Sequence, residues 1–129
     1  MQDLDELFDQ MGRAADKLFD RAWLQHFTHI CWEPEVNVYE CRETLVFLVN
    51  LPGVSRDQIS IHLVKDTLII AGIRQDPRPP DAIRCLHLEM PQGRFRKQIR
   101  IALPIRRESL KAELSGGILR ITVAKETHW

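Results

Sequence analysis

No apolar run in this sequence approaches the roughly 20 residues needed to cross a bilayer, which excludes a membrane-spanning helix. Net charge is also missing. Lys plus Arg number 18 and Asp plus Glu number 18, so no overall field draws the chain onto nucleic acid or an anionic membrane. Cysteines are few, odd in number and irregularly spaced (Cys31, Cys41, Cys85). That argues against a disulfide framework and for reduced thiols in a cytosol. There is no glycine-rich phosphate loop, hence no sign of ATP binding, and neither a repeat nor a low-complexity segment. Met1-Gln2-Asp3 opens no secretory signal, so a cytoplasmic location is expected. What remains at 129 residues is one domain with an appendage, long enough to bury a core.

The clearest pattern lies at Ala112–Lys125, where Ile118, Leu119, Ile121 and Val123 follow Gly116-Gly117. Apolar and polar residues alternate from Leu119 onward, and a Gly pair permits a tight turn, so the expectation is strand, turn, strand. Upstream, Glu35–Glu40 alternates, and Thr44–Leu51 is a continuous β-rich run that predicts burial on both sides. Leu51-Pro52-Gly53-Val54 stops it, and Ser55 is placed to cap a short turn. Ile59, Ile61 and Leu63 begin a further strand, joined through Lys65-Asp66 to Leu68–Ile73. Asp76–Asp81 holds Pro77, Pro79 and Pro80 and must be an exposed loop. Leu86, Leu88 and Met90 alternate again. A long strand follows from Gly93, expected to end at Leu103-Pro104, with Arg107–Leu110 leading into the last hairpin. Short strands at this spacing predict an all-β fold, an antiparallel β-sandwich.

Residues 1 to about 28 follow a different period. Leu4, Leu7, Phe8, Met11, Leu18, Phe19 and Trp23 recur at three- and four-residue steps with acids on the other side, predicting an amphipathic helical arm. Such an arm either packs on its own domain or its dimer mate, or offers an adaptable apolar surface to unfolded proteins through Leu7, Phe8, Phe19, Trp23 and Phe27. Its acidic polar face argues against lying on a membrane.

Candidate chemistry is sparse. His26, His29 and Cys31 sit close together, but a fourth ligand would have to come from elsewhere, so no metal site is expected. Cys85 and His87 would share a strand face without an acid to orient them or an oxyanion element, so no nucleophilic enzyme is expected. Arg94, Arg96, Lys97 and Arg100 form the one basic cluster. Without a basic domain or interleaved exposed aromatics it is expected to be a solvated strand face that discourages edge aggregation, not a nucleic-acid site.

Several of these segments, in order, resemble the small heat-shock proteins of the α-crystallin family over roughly Trp32–Lys125. They are Trp32-x-Pro34-x-Val36-Asn37-Val38-Tyr39-Glu40, the Leu51-Pro52-Gly53-Val54 corner, Leu68-Ile69-Ile70-Ala71-Gly72-Ile73-Arg74, Gly93-x-Phe95, and Ala112-x-x-x-x-Gly117-x-Leu119. The sequence departs from the family pattern at Asn37, where Asp is usual, at His87 and at Ala124. Leu103-Pro104 also falls two residues late.

The resemblance implies an N-terminal arm (1–31), an immunoglobulin-like α-crystallin sandwich (32–125) and a short tail (126–129). It implies an ATP-independent holdase with no cofactor, whose partners are partly unfolded client proteins and itself. In bacterial and plant relatives the excursion at 75–92 carries a strand that pairs with the partner's first strand. A homodimer is therefore expected in which Arg84, Cys85, His87 and Glu89 meet Val36, Val38 and Cys41 of the mate. If Cys41 and Cys85 of opposite chains lie together there, oxidation could lock the dimer; the plainer expectation is two buried thiols. A groove lined by Ile59, Ile61, Leu63, Leu110 and Leu114 is the family's receptor for an Ile-x-Ile or Ile-x-Val tail anchor. None occurs in 126–129, so the expectation is a homodimer, with a larger oligomer as the alternative, and a groove open to a client or a tail-bearing paralogue. The alternative function is an adaptor docking on a folded partner, like related sandwich co-chaperones, which lack the excursion.

Overall fold

The computed structural model describes residues 31–126, so the helical arm expected at the N-terminus lies outside the described residues. Seven strands follow in order: β1 (Val36–Glu40), β2 (Thr44–Asn50), β3 (Ile59–Val64), β4 (Thr67–Arg74), β5 (Gly93–Arg100), β6 (Ile105–Ser115) and β7 (Ile118–Lys125). They form a four-stranded sheet in the order β1-β2-β7-β6 and a three-stranded sheet in the order β3-β4-β5. Every strand pair is antiparallel. The expected all-β sandwich is what forms.

The period-2 alternation of the sequence sorts side chains between core and surface. Leu45, Phe47 and Val49 of β2 and Leu119, Ile121 and Val123 of β7 meet Leu68 and Ile70 of β4 and Phe95 of β5 in one buried cluster. Val46, on the opposite face of β2, is buried as well, which accounts for the unbroken apolar run there. Gly72 is required by close approach: a Cβ would stand 2.1 Å from the Gln58 carbonyl oxygen and 2.6 Å from the Phe95 ring.

The turns follow their residues. Gly116 and Gly117 have φ of 58° and 79°, the double left-handed conformation of a two-residue hairpin whose twist matches its strands. The carbonyl of Gly117 accepts the Leu51 N–H at 2.7 Å, which ties this hairpin to the Leu-Pro-Gly corner. Ser55 opens a single 3-10 turn over Arg56–Gln58, and both its N–H and its hydroxyl donate to Gln58 Oε1. Lys65 takes φ 57° in the β3–β4 link.

Three boundaries differ from expectation. β5 ends at Arg100, not at Leu103-Pro104, because its partner β4 begins at Thr67, opposite Arg100; one last bond, from the Ile101 N–H to the Asp66 carbonyl at 2.7 Å, closes the ladder. Arg107–Leu110 is not a lead-in but the middle of β6, where the pairing with β7 shifts register between Arg106 and Lys111. Ser109 fills that irregularity. Its hydroxyl donates to the Arg106 carbonyl at 2.6 Å and accepts the Ala124 N–H at 2.8 Å, so no ladder donor is stranded. Finally, none of residues 75–92 belongs to a strand in the single chain.

Candidate functional site

Two surfaces follow from this topology. The first lies between the edge strands β3 and β6 of the two sheets. Ile59, Ile61, Leu63, Leu110 and Leu114 are all half-buried there and pack against the core cluster. They therefore serve the core and still present part of their surface. Arg107 of β6 closes one end, its guanidinium donating to the carbonyls of Leu63 and Lys65. That cross-sheet link fixes the spacing of the two edges.

The second surface is the free edge of β1 together with the excursion. Among the described residues β1 pairs only with β2, so there its other side offers an open row of backbone donors and acceptors. Val36 is half-buried, Val38 is 48% exposed and Tyr39 50% exposed. The excursion carries Ile83, Leu86, Leu88 and Met90 at 96%, 81%, 63% and 64% exposure. Arg84, Cys85, His87 and Glu89 are exposed alongside them. His87 Nε2 meets Glu89 Oε2 at 2.5 Å, and the Cys85 thiol donates to the His87 carbonyl at 3.3 Å. Cys41 and Cys85 are exposed thiols and not the buried pair that was the plainer expectation. The arm residues Leu7, Phe8, Phe19, Trp23 and Phe27 lie outside the described residues.

The basic cluster is not an open solvated face. Trp32 donates its N–H to the Arg94 carbonyl and accepts from the Arg96 N–H, both at 3.1 Å, so the entry segment adds a bridge to the edge of β5. Arg94 and Arg96 are half-buried, Lys97 meets Glu33 at 3.6 Å and Arg100 meets Asp66 at 3.0 Å. The Arg100 guanidinium holds the Asp66 carboxyl below its ordinary 3.8. Among the described residues no group of three His, Cys, Asp or Glu gathers to hold a metal.

Arg74 and Trp32 have roles that pattern alone did not assign. Arg74 donates to the Pro52 carbonyl at 3.0 Å and through two nitrogens to the Pro91 carbonyl. Its guanidinium carbon stands 4.3 Å above the Trp32 ring, which in turn lies 5.2 Å from the Phe95 ring. One side chain thus joins the Leu-Pro-Gly corner, the root of the excursion and the entry segment. The available signal was a cation ending an otherwise apolar strand.

The sequence model of the Hsp20/alpha crystallin family matches residues 38–129. Among curated relatives, a 17.9 kDa class II heat shock protein of Helianthus annuus is 27% identical over 90 residues, 69% of this chain. A probable 15 kDa heat shock protein of Leptospira interrogans is 26% identical over 92 residues, 71% of this chain. The chain spans 56% and 69% of those relatives' lengths. Among solved structures, heat shock protein 16.0 from Schizosaccharomyces pombe superposes with a TM-score of 0.70 at 26% identity, over 76% of this chain and 70% of that one. A small heat-shock protein from Xylella fastidiosa shares the fold with a TM-score of 0.69 at 23% identity, over 78% of this chain and 92% of that one. Strand order, turn glycines and family match agree, and the chain belongs to the Hsp20/alpha crystallin family of small heat-shock proteins.

Proposed function

We propose that this chain is an ATP-independent holdase that covers exposed apolar surface on partly unfolded proteins. The observation that carries this, beside family membership, is the groove between β3 and β6, where Ile59, Ile61, Leu63, Leu110 and Leu114 pack on the core and keep part of their surface open. Covering apolar surface is worth about 25 cal/mol per Å², so ~300 Å² supplies roughly 7 kcal/mol before the cost of association. Binding on that scale is useful and reversible. The arm residues Leu7, Phe8, Phe19, Trp23 and Phe27 are the further client surface.

The working unit is a homodimer in which Arg84–Met90 of each copy pairs with Val36–Cys41 of the other. The unpaired edge of β1 and a segment with strand-like alternation but no strand of its own support that exchange. The deciding experiment heats an aggregation-prone client with substoichiometric amounts of this protein and no nucleotide. Suppressed light scattering is expected, and scattering as fast as in buffer overturns the proposal.

A further inference from the structure

The thiols of Cys41 and Cys85 have no part in the proposed function, and their positions in the two exchanging segments are specific. Cys41 directly follows β1, its N–H bonded to the Thr44 carbonyl at 2.7 Å. Cys85 begins the alternating part of the excursion. Both are exposed and neither is in a disulfide. In β1, Val36, Val38 and Glu40 stand opposite the core residues Val49, Phe47 and Leu45, so they point to the inner face. In the excursion the apolar alternates are Leu86, Leu88 and Met90, all exposed.

A strand repeats every two residues. Any pairing that lays Leu86, Leu88 and Met90 beside Val36 and Val38 therefore puts Cys85, His87 and Glu89 on the face of Asn37, Tyr39 and Cys41. The ends of the two segments narrow the register further. β1 begins at Val36, and Pro91, lacking an N–H, cannot carry a ladder past Met90. Matching those ends in antiparallel sense sets Met90 opposite Val36, Leu88 opposite Val38, Leu86 opposite Glu40 and Cys85 opposite Cys41. A two-residue slip one way brings Glu89 against Glu35, two like charges. A slip the other way leaves Val36 facing polar Gln92. Directly opposed antiparallel residues have Cα atoms about 4.5–5.5 Å apart, inside the roughly 4.4–6.8 Å that a disulfide bridges.

We infer that a second copy of this chain lays its Arg84–Met90 antiparallel on β1 in this register, and that mild oxidation joins Cys41 of one copy to Cys85 of the other. The inference rests on the strand exchange proposed above and adds its direction, its register and a redox lock. With glutathione disulfide as oxidant, one thiolate attacks a glutathione sulfur, forms a mixed disulfide and releases one glutathione thiolate. The opposing thiolate then displaces the second. Two cysteine thiols are oxidised and one glutathione disulfide is reduced to two thiols, which take up the two protons. The two-fold exchange repeats the bridge, so each dimer carries two.

The test uses the full chain. Light scattering in reductant reads its mass; oxidation with glutathione disulfide, alkylation, a non-reducing gel and peptide mass mapping read the bridge. Expected are a dimer in reductant and, after oxidation, a species at twice the 15.1 kDa chain mass holding a Cys41–Cys85 peptide. C41S and C85S should each abolish that peptide, and C31S should leave it. A dimer in reductant that yields no such bridge, or yields Cys85–Cys85 instead, overturns the register while the exchange stands. A parallel exchange gives that result, because it holds the two cysteines about 20 Å apart. A Cys41–Cys85 peptide found only in a band at the single-chain mass also overturns it. A monomer in reductant removes the exchange itself.

Discussion

Arg74 shows most clearly how one side chain holds several segments of this domain. Its guanidinium satisfies two carbonyls, Pro52 and Pro91, and covers the Trp32 ring. Arg74→Ala returns the carbonyls of exposed Pro52 and Pro91 to water and removes the cation–π contact, a loss of about 1–2 kcal/mol in urea unfolding. Arg74→Lys should recover less than half, since an ammonium cannot serve diverging acceptors from one plane. A variant as stable as the parent would show that water replaces the clamp. Asp66 gives a pH-dependent counterpart. Its carboxyl is held below 3.8, first by the hydrogen bond from Arg100. With the folded pKa depressed, its contribution is complete above the unfolded value near 3.9 and disappears as pH falls through the folded one. An NMR titration should therefore place the Asp66 midpoint below that of a model peptide. In Arg100→Gln the midpoint should rise toward the ordinary value; an unmoved midpoint would remove Arg100 as the cause.

Among the elements, those with strict alternation were legible and those whose partners are remote were not. The Gly116-Gly117 hairpin, the Leu51-Pro52 stop and the inward rows of β2, β4 and β7 follow from period and turn chemistry, which act locally. The end of β5 differs from expectation because it is set by where its partner β4 begins, at Thr67, and not by the Leu103-Pro104 in its own sequence. Arg107–Leu110 was misplaced because a Ser109 hydroxyl substitutes for a backbone partner in β6. The groove residues were identified from resemblance, yet their spacing is held by Arg107, which no pattern marked. The excursion yields a prediction of its own. Arg74 and Gly93 are directly paired, so replacing residues 75–92 by Asn-Gly closes β4 and β5 with a two-residue turn. The shortened chain should stay folded, losing about 1 kcal/mol as Arg74 gives up the Pro91 carbonyl. It should also sediment as a monomer. A dimer surviving the deletion would rule out exchange through this segment.

At the scale of the whole molecule, four strands stacked on three leave a surplus. The core is shared by β2, β4, β5 and β7, while β1 lies at the rim with Val38 half-exposed on its inward side. Such a body fills its core without its rim being covered, which leaves the rim to a second copy in the proposed exchange and the β3–β6 groove to a client. Protection of a heated client should accordingly need no nucleotide. Deleting residues 1–28 should weaken it several-fold at equal protein ratio, and undiminished protection would clear the arm of a part in client capture. Truncation inside the shared core is another matter. Phe47→Ala should cost about 3–5 kcal/mol, a large share of the ~5–15 kcal/mol of an ordinary domain, so melting and the loss of protection should both move to a markedly lower temperature.

The packing of Trp32 against a guanidinium and the Phe95 ring has an optical corollary. Its indole N–H donates to the Gly93 carbonyl at 3.2 Å, so the chromophore is held by a cation, by a second ring and at its polar tip. With Trp23 and Trp129 changed to Phe, emission from this single indole would register whether the entry segment is seated on β5. A red shift preceding global melting would time the moment at which the entry segment swings loose from β5.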